Sequence, residues 1–276
     1  MTISPDCYAV FGNPISHSKS PVLQMAFAKQ TAENIVYTAH CVEADDFIAA
    51  ADQFFRDGGK GLNITVPFKL DAFSYAQELT PRAQKAGAVN TLIKQENKII
   101  GDNTDGVGLV NDISQNLQWP LTHKKLLILG AGGAVRGVLG PLLANNPTSI
   151  TIANRTLEKA QTLAQAFSNE GHVIACTYEN LTQETSYDII INGTSASLHG
   201  SLPNLPESVI SRSTYCYDMM YGAQNTLFMQ WCLDHGALAV ADGLGMLVCQ
   251  GAESFYLWRG TYPKTQPVID QLRSLL

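Results

Sequence analysis

Residues 124–137 read Lys-Lys-Leu-Leu-Ile-Leu-Gly-Ala-Gly-Gly-Ala-Val-Arg-Gly. A short apolar run ends in closely spaced glycines, and the residues that follow have the composition of a helix. This order predicts the strand, tight turn and helix that bind a dinucleotide. Gly130 allows a sharp turn, and Gly132 has no side chain to keep a pyrophosphate away from the free N–H groups at the helix start.

The motif departs from the usual spacing, because Val135 stands where a third glycine is expected and only Gly137 is left to allow close packing. A second β-rich run, Ser149 to Asn154, follows about 20 residues later, where such folds bind the ribose. It leads to Arg155 and, one turn later, Lys159, and no carboxylate stands at Asn154-Arg-Thr156. These cations favour the 2′-phosphate of NADP over the free hydroxyl of NAD.

Composition limits the class of protein. The chain has 276 residues, of which 45% are hydrophobic and 15% charged, and this length predicts a large core divided between two domains. A formal net charge of −6 without a basic run argues against nucleic acid or an anionic membrane as a partner. The six cysteines and six histidines show no metal-ligand spacing, so we expect reduced thiols and no metal. Without a leader or a long apolar stretch, we expect a cytoplasmic protein.

Strands and helices alternate in the first part of the chain. Short β-rich runs begin at Cys7, Ile35 and Leu62, with helical segments between them. This order predicts a β-α-β-α-β unit with a parallel sheet. Two further runs around Gln95-Glu-Asn97 are typical of a hairpin, so the sheet is expected to be mainly parallel.

The alternation continues through residues 106–243, as a doubly wound fold requires. One of its strands ends in Asn192-Gly-Thr-Ser195, whose polar groups are expected at the edge of the ligand crevice. Two helices, at 247–258 and 267–276, have no strand between them, and we expect them to return to the first domain with Gln250 near the cleft. The predicted domains are therefore 1–105 together with 244–276, and 106–243.

Hydroxyl and carboxylate groups follow two predicted strands. Ser16 and Ser18 come after the first strand, where they fit either turn and capping chemistry or the binding of a ligand in an α/β crevice. Asp105 lies in the loop Gly101-Asp-Asn-Thr-Asp-Gly-Val-Gly108, just before a helix. It fits an N-cap as well as a functional carboxylate.

Three polar side chains converge after the third strand. Asn63 and Thr65 alternate with Ile64 and therefore share a face. Pro67 ends the strand and places Lys69 on the following turn. A lysine after a strand is usually solvated, but Asn63 and Thr65 on an otherwise apolar strand favour a binding site.

Eight segments in order make the chain resemble the shikimate dehydrogenase family, from Phe11 to the C-terminus. They are Ser16-His-Ser-Lys-Ser-Pro21, Asn63-Ile-Thr-Val-Pro-Phe-Lys69, Gly87-Ala-Val-Asn-Thr91, Gly101-Asp-Asn-Thr-Asp-Gly106, Gly130-Ala-Gly-Gly133, Asn154-Arg-Thr156, Tyr217-Asp-Met-Met-Tyr221 and Asp242-Gly-Leu-Gly-Met-Leu-Val-Cys-Gln250. The resemblance implies an α/β fold of two domains, the second a Rossmann-type NADP-binding domain, with the substrate in the cleft between them. It implies NADPH-dependent reduction of 3-dehydroshikimate to shikimate, a step of aromatic amino acid (chorismate) biosynthesis.

The resemblance also implies roles for individual residues. Lys69 and Asp105 would be the catalytic pair. Ser16, Ser18 and Tyr221 would bind the substrate carboxylate. The ring hydroxyls would be bound by Asn63, Thr65, Lys69, Asn90, Asp105 and Gln250. The cofactor would be bound by Gly130, Ala131, Gly132, Gly133, Ala134, Asn154, Arg155, Thr156, Lys159, Thr194 and Ser195, with Met219 and Gly243 near the nicotinamide.

Departures from the family pattern are small: Ile64 replaces a usual Val, Gly193 a common Ala, and Ala196-Ser-Leu198 a more glycine-rich loop. Two other functions stay open. An NAD-linked quinate/shikimate dehydrogenase would carry an acidic residue near Thr156, and Glu158 is close enough to fit. A non-catalytic dinucleotide-binding regulator would not need both Lys69 and Asp105. The sequence leaves open whether the protein is a monomer or a homodimer.

Overall fold

The computed structural model describes residues 4–183, 186–194, 196, 201–202 and 204–276. The chain divides into two units. The first comprises Met1–Gly108 and Val248–Leu275, and the second comprises Leu109–Leu247 with the last residue, Leu276.

The first unit is built on a six-stranded sheet. Its strands are β1 (Asp6–Gly12), β2 (Ile35–Cys41), β3 (Gly61–Ile64), β4 (Glu78–Leu79), β5 (Thr91–Gln95) and β6 (Lys98–Asp102). The strand order is β2-β1-β3-β5-β6-β4. β1 pairs in parallel with β2 and β3, β4 pairs in parallel with β6, and β5 is antiparallel to both β3 and β6. The predicted hairpin and mainly parallel sheet are both present.

Helices flank this sheet. They are α1 (Ser20–Thr31), α2 (Phe47–Arg56), α3 (Lys69–Tyr75), α4 (Pro81–Ala86), α5 (Asp105–Asn111), and two from the end of the chain that we label α9 (Leu244–Arg259) and α10 (Gln266–Arg273). α5 and α9 each contain a point where the chain passes between the units. α9 is held to the sheet by Trp258, whose Nε1 donates to the Leu92 carbonyl at 3.1 Å. Gly61 makes room for this ring, because a Cβ there would lie 2.3 Å from Trp258 Nε1.

The second unit contains a second six-stranded sheet. Its strands are β7 (Lys125–Leu129), β8 (Ser149–Ala153), β9 (Val173–Cys176), β10 (Ile189–Asn192), β11 (Tyr215–Asp218) and β12 (Ala239–Ala241). Their order is β12-β11-β10-β7-β8-β9, and every neighbouring pair is parallel. The order reverses direction between β7 and β10, which is where doubly wound folds bind ligands. The fold class predicted from the sequence is confirmed.

Three helices complete the second unit: α6 (Gly133–Leu143), α7 (Leu157–Ala166) and α8 (Leu227–Asp234). Apolar side chains of β7 and α6, among them Leu126, Ile128, Val138 and Leu142, are fully buried in its core. In the part of the chain that the structure describes, no helix has the length and apolar character needed to span a bilayer.

The structure differs from the sequence prediction at three places. Lys69 is the first residue of α3 rather than part of a turn, and β4, only two residues long, was not predicted. The β-rich run from Thr214 to Tyr221 predicts a strand of that length, but β11 is shorter because its pairing with β10 ends at Asp218. Beyond that point the Met220 N–H donates to the Asp218 carboxylate at 3.0 Å instead of to a neighbouring strand.

A buried tyrosine anchors α5 and its π-helical continuation, Asp112–Asn116. Tyr217, fully buried in β11, donates its hydroxyl to Asp112 Oδ2 at 2.7 Å and accepts from the Met246 N–H at 3.3 Å. Asn116 Nδ2 donates to the other Asp112 oxygen at 2.8 Å. Because Asp112 is only 3% exposed, its carboxylate depends on these donors.

Replacing this tyrosine tests that dependence. We expect Tyr217→Phe to lower the free energy of unfolding by about 1–3 kcal/mol, because it removes a donor from a buried carboxylate. Tyr75→Phe is the matched control, since the Tyr75 hydroxyl also donates to a carboxylate, at 2.8 Å, but that carboxylate, Asp52, is exposed. Its cost should stay within about 0.5 kcal/mol. Urea denaturation of both variants measures the difference, and equal losses would contradict the expectation.

Candidate active site

A lysine and an aspartate form an ion pair in the first unit. Lys69 starts α3 and Asp105 starts α5, and Lys69 Nζ lies 2.5 Å from Asp105 Oδ2. The lysine side chain is 32% exposed and the aspartate side chain 16%. The Asp105 N–H is capped by Asn103 Oδ1 at 3.1 Å, so the Asp105 carboxylate is available to hold the ammonium. A partly exposed ammonium, oriented by a carboxylate, can donate a proton to a ligand.

Asn90 connects this pair to the C-terminal helix α9. Its Nδ2 donates to Asp105 Oδ1 at 2.8 Å, to Thr104 Oγ1 at 3.0 Å and to Gln250 Oε1 at 3.3 Å. Its Oδ1 accepts from the Thr104 N–H at 2.9 Å. Four of the predicted site residues, Lys69, Asn90, Asp105 and Gln250, are therefore joined by direct hydrogen bonds.

Asn63 is the centre of a second, deeper group. Its Oδ1 accepts from the Tyr37 hydroxyl at 2.7 Å, and its Nδ2 donates to Ser254 Oγ at 3.0 Å and to Thr91 Oγ1 at 3.3 Å. Burial raises the pKa of Tyr37 well above its usual range, so that phenol remains a donor. Asn63 is 6% exposed. The amide thus links β2, β3, β5 and α9.

The sequence did not single out several members of this network: Tyr37, Thr91, Thr104 and Ser254. Thr91, Thr104 and Ser254 are fully buried polar residues, and Ser254 Oγ lies 2.8 Å from Thr91 Oγ1 and 3.3 Å from Thr104 Oγ1. One signal pointed to Ser254. It follows Gln250 by four residues in an apolar helix, and that spacing places both on the same helix face.

Ser16, Ser18 and Thr65 lie beyond the ends of β1 and β3. The Ser18 hydroxyl accepts from the Ser20 N–H at 3.3 Å, so it supports the start of α1, while Ser16 is exposed. Thr65 is half-buried, and its N–H donates to the Phe11 carbonyl at 2.9 Å. The hydroxyls of Ser16 and Thr65 are thus at least partly accessible at this edge of the sheet.

The glycine loop of the second unit follows β7. Gly130 has φ +101°, a conformation that favours glycine, and its N–H donates to the Ala153 carbonyl at 2.8 Å. A Cβ on Gly132 or Gly133 would meet nothing within 4 Å. These two residues therefore border open space at the start of α6, where N–H groups have no partner within the helix. An anion can approach the backbone there, together with Ala131 and Ala134 on either side.

The end of β8 carries the predicted ribose-binding residues. Asn154 Nδ2 donates to the Thr156 carbonyl at 2.8 Å and so shapes the loop that leads into α7. Arg155 on this loop and Lys159 on α7 are both exposed. Neither cation pays a desolvation penalty in the fold, and both are accessible to an anionic ligand.

A buried aspartate organises the ends of β10 and β11. Asp218 Oδ1 accepts from Asn192 Nδ2 at 3.1 Å, and Oδ2 accepts from Thr226 Oγ1 at 2.6 Å. Asn192 Oδ1 in turn accepts from the Thr194 N–H at 3.1 Å and its hydroxyl at 2.7 Å. Asp218 and Asn192 are fully buried. Thr194 is therefore held in place by a carboxylate that lies on the next strand.

The remaining predicted site residues of the second unit, Met219, Tyr221 and Gly243, follow strands β11 and β12 in the chain. Met219 is 8% exposed, and Gly243 lies so close to it that a Cβ would be 2.2 Å from the Met219 carbonyl oxygen. Gly193, one of the departures from the family pattern, leaves no room for a Cβ, which would lie 2.5 Å from Val135 Cγ2. Burial raises the pKa of Tyr221. Ser195 lies outside the described residues.

Comparison with known proteins places the chain in a family. Three family models match, "Shikimate dehydrogenase substrate binding domain" at residues 10–92, "Shikimate / quinate 5-dehydrogenase" at 112–204 and "Shikimate 5'-dehydrogenase C-terminal domain" at 243–273. The NADP(+) shikimate dehydrogenase of Cellvibrio japonicus is 56% identical over 272 residues, which are 98% of each chain. The chain belongs to the shikimate dehydrogenase family. The resemblance seen in the sequence is confirmed.

Solved structures similar to this chain have the same fold. An Ael1 enzyme from Pseudomonas putida is 44% identical, with a TM-score of 0.92 over 97% of this chain and 98% of that one. A shikimate 5-dehydrogenase from Thermus thermophilus, in complex with NADP(H) and shikimate, is 28% identical, with a TM-score of 0.86 over 98% of this chain and all of that one.

The buried network around Asn63 yields a stability prediction. We expect Ser254→Ala to lower the free energy of unfolding by about 1–3 kcal/mol, because it removes one acceptor of the buried Asn63 Nδ2 and a hydrogen-bond partner of the buried Thr91 and Thr104 hydroxyls. Ser74→Ala is the control. Both serines donate to the carbonyl four residues earlier, Ser254 to Gln250 and Ser74 to Leu70, but Ser74 is exposed. A cost for Ser254→Ala no greater than that of the control, in urea denaturation, would show that the network contributes little.

Proposed function

We propose that this protein catalyses the NADPH-dependent reduction of 3-dehydroshikimate to shikimate and the reverse oxidation, in aromatic amino acid biosynthesis. It is an oxidoreductase of the shikimate dehydrogenase family with NADP as its cofactor. The observation that carries the proposal is the ion pair between Lys69 and Asp105, bound to Asn90 and through it to Gln250. The pair combines a proton donor with groups that can bind hydroxyls.

The second unit has the features that NADP binding requires. The open space at Gly132 and Gly133 would accept the pyrophosphate, and the exposed Arg155 and Lys159 would hold the 2′-phosphate. When bound, the cofactor supplies the hydride. The full set proposed to bind it is Gly130, Ala131, Gly132, Gly133, Ala134, Asn154, Arg155, Thr156, Lys159, Thr194, Ser195, Met219 and Gly243.

The first unit supplies most of the proposed substrate contacts. Ser16 and Ser18 would donate hydroxyls to the substrate carboxylate, and the family resemblance assigns the same role to Tyr221. Hydroxyl donors suit an acidic chain that has no basic cluster. The ring hydroxyls would be bound by Asn63, Thr65, Lys69, Asn90, Asp105 and Gln250. This division makes residues 1–105 with 244–276 the substrate-binding domain and 106–243 the NADP-binding domain.

Lys69 is the proposed proton donor. During reduction the carbonyl oxygen of the ketone gains negative charge, and Lys69 Nζ delivers a proton to that oxygen and regains one from solvent. Asp105 holds the ammonium in position through its Oδ2, 2.5 Å from Nζ, and its Oδ1 is held in turn by Asn90. The carboxylate also accepts a hydrogen bond from a neighbouring substrate hydroxyl. In the oxidation the order is reversed: Lys69 Nζ first releases a proton to solvent, and the neutral amine then takes up the hydroxyl proton.

Truncation of the lysine tests this role. We expect Lys69→Ala to lower kcat about a hundred- to ten-thousandfold, the usual contribution of general acid–base catalysis. NADPH affinity should stay unchanged, because Lys69 belongs to the first unit and the residues proposed to bind the cofactor belong to the second. Steady-state kinetics and NADPH fluorescence titration measure the two effects.

Lys98→Ala is the matched control for that variant. Lys98 also forms an ion pair in the first unit, with Glu78, but both side chains are exposed, and the variant should keep the wild-type kcat. A Lys69→Ala enzyme with near-normal kcat and a raised KM for shikimate would make Lys69 a binding residue only, and the proton would then have to come from another group or from water.

Cofactor choice depends on Arg155 in this proposal. We expect Arg155→Ala to raise the KM for NADP by roughly ten- to a hundredfold, the loss expected for a charge-assisted contact to phosphate, and to change the KM for NAD far less. Arg212→Ala, which removes another exposed arginine of the second unit, should change neither. An unchanged preference for NADP over NAD would remove Arg155 from the phosphate site.

The alternatives predict different results in one absorbance assay. NAD-linked quinate/shikimate dehydrogenase activity is favoured only by Glu158, exposed on α7 near Thr156, and would appear as faster turnover of quinate with NAD. A non-catalytic regulator would show no NADPH consumption with 3-dehydroshikimate. We further propose that the protein is cytoplasmic, since its six cysteines are free thiols. We propose that it is a monomer or a homodimer.

A further inference from the structure

Arg82 joins two carboxylates that are far apart in the chain. It lies on α4, and its Nε and Nη2 donate to Asp102 Oδ1 and Oδ2, both at 2.7 Å. Its Nη1 donates to Glu253 Oε1 at 2.9 Å. The side chains of Arg82, Asp102 and Glu253 are 25%, 1% and 13% exposed. This is a bidentate, largely buried ion pair extended by a second carboxylate, a geometry that a planar guanidinium provides and an ammonium does not.

Asp102 lies three residues before Asp105 of the candidate active site. It is the last residue of β6, and the next residues carry Thr104 and Asp105. Besides Arg82, the Thr80 hydroxyl donates to Asp102 Oδ1 at 2.6 Å and the Asn103 N–H donates at 2.7 Å. The position of the loop that presents Asp105 is therefore tied to the position of the Asp102 carboxylate.

Glu253 ties α9 to Arg82, as Asp102 ties the loop after β6. It comes three residues after Gln250, a spacing that places the two on neighbouring positions of the helix surface. Gln250 Oε1 lies 3.3 Å from both Asn90 Nδ2 and Thr104 Oγ1, and accepts a hydrogen bond from each. Because Gln250 is carried by α9, its position relative to Asp105 also depends on how that helix is held.

We propose that Arg82 is a positioning residue for the substrate site: by joining Asp102 to Glu253, it sets the spacing between Asp105 and Gln250. The inference rests on the proposed function, since these two residues are expected to bind the ring hydroxyls. Arg82 does not touch the substrate in this role.

The opposite charges of Arg82 and its two carboxylate partners stabilise this connection. Burial acts to lower the pKa of Arg82, but the paired Asp102 and Glu253 carboxylates outweigh it and raise that pKa above its usual value. The two carboxylates therefore favour the charged form of Arg82. Without its guanidinium, two largely buried carboxylates would be left to repel each other and push α9 away from the loop after β6.

The experiment compares two arginines of the same unit. Arg259 also joins two carboxylates, with Nη1 2.5 Å from Asp6 and with Nε and Nη2 on Glu33, and its side chain is 19% exposed. Arg259 is the last residue of α9, so it holds the end of that helix rather than the turn that carries Gln250 and Glu253, and neither Asp6 nor Glu33 contacts a proposed substrate residue in the described contacts. In each arginine, two guanidinium nitrogens bond the same carboxylate. Arg82→Lys and Arg259→Lys therefore remove comparable two-nitrogen contacts while keeping the positive charge.

We expect Arg82→Lys to raise the Kd for shikimate about tenfold, as for the loss of one charge-assisted bond, and to leave the Kd for NADP within about twofold of wild type. We expect Arg82→Lys and Arg259→Lys to lower the thermal unfolding midpoint by similar amounts. Arg259→Lys should leave the Kd and KM for shikimate unchanged. A purely structural role would give both variants the same substrate affinity, and that result, or a wild-type Kd in Arg82→Lys, would overturn the proposal.

Glu253→Gln decides the matter if Arg82→Lys does not fold. It keeps the volume and an acceptor oxygen but removes the charge on α9, so we expect the Kd for shikimate to rise about threefold, and a wild-type Kd would overturn the proposal. Wild-type protein is assayed first with 3-dehydroshikimate and NADPH. An inactive wild type would overturn the proposed function together with this inference, whereas an active wild type with unchanged affinity in the variants would overturn the inference alone.

Discussion

Buried polar side chains need hydrogen-bond partners, and this requirement organises the first unit of the structure. Asn63, Asn90, Thr91, Thr104 and Ser254 are almost fully excluded from solvent. They come from β3, β5, the loop after β6, and α9, and their hydrogen bonds can be satisfied only if all of these elements meet. The network is continuous with the ion pair of Lys69 and Asp105 through the Asn90 amide. A shift in any one element would leave a buried donor or acceptor unpaired, so the same bonds that close the fold also keep the proposed catalytic groups in place.

The second unit meets a different constraint. Its parallel sheet buries almost every residue of β7, β8, β10 and β11, which leaves the carboxyl ends of these strands as the place where polar groups are exposed. Gly132 and Gly133 keep side chains out of the space at the start of α6. Asp218 and Asn192 hold the neighbouring strand ends from within the core. Backbone N–H groups and a few buried carboxylates thus shape the proposed NADP site, and Arg155 and Lys159 add positive charge at its exposed edge.

Local sequence signals predicted much of the architecture. The apolar run before Gly130 predicted a strand followed by a tight turn, and the alternation of strands and helices after it indicated a doubly wound sheet. The hairpin around Glu96 was equally clear from its polar turn. Lys69 was expected on a turn and instead begins α3, because β3 already ends at Ile64 and Pro67 does not prevent a helix from starting two residues later. β4 was missed, since two residues are too few to show a periodic pattern.

The sequence by itself therefore determined the residue types of the site and the order of the elements that carry them. Lys69, Asp105, Asn63 and Asn90 stand in motifs whose spacing relates each to a strand end, and that relation is local. Only the tertiary structure decided which residues support them. Arg82, Glu253 and Ser254 carry no motif of their own, and the contacts between Arg82 and Glu253 and between Asn63 and Ser254 join residues 171 and 191 positions apart. Such pairs depend on where α9 packs against the first sheet, and no periodicity within a single segment contains that information.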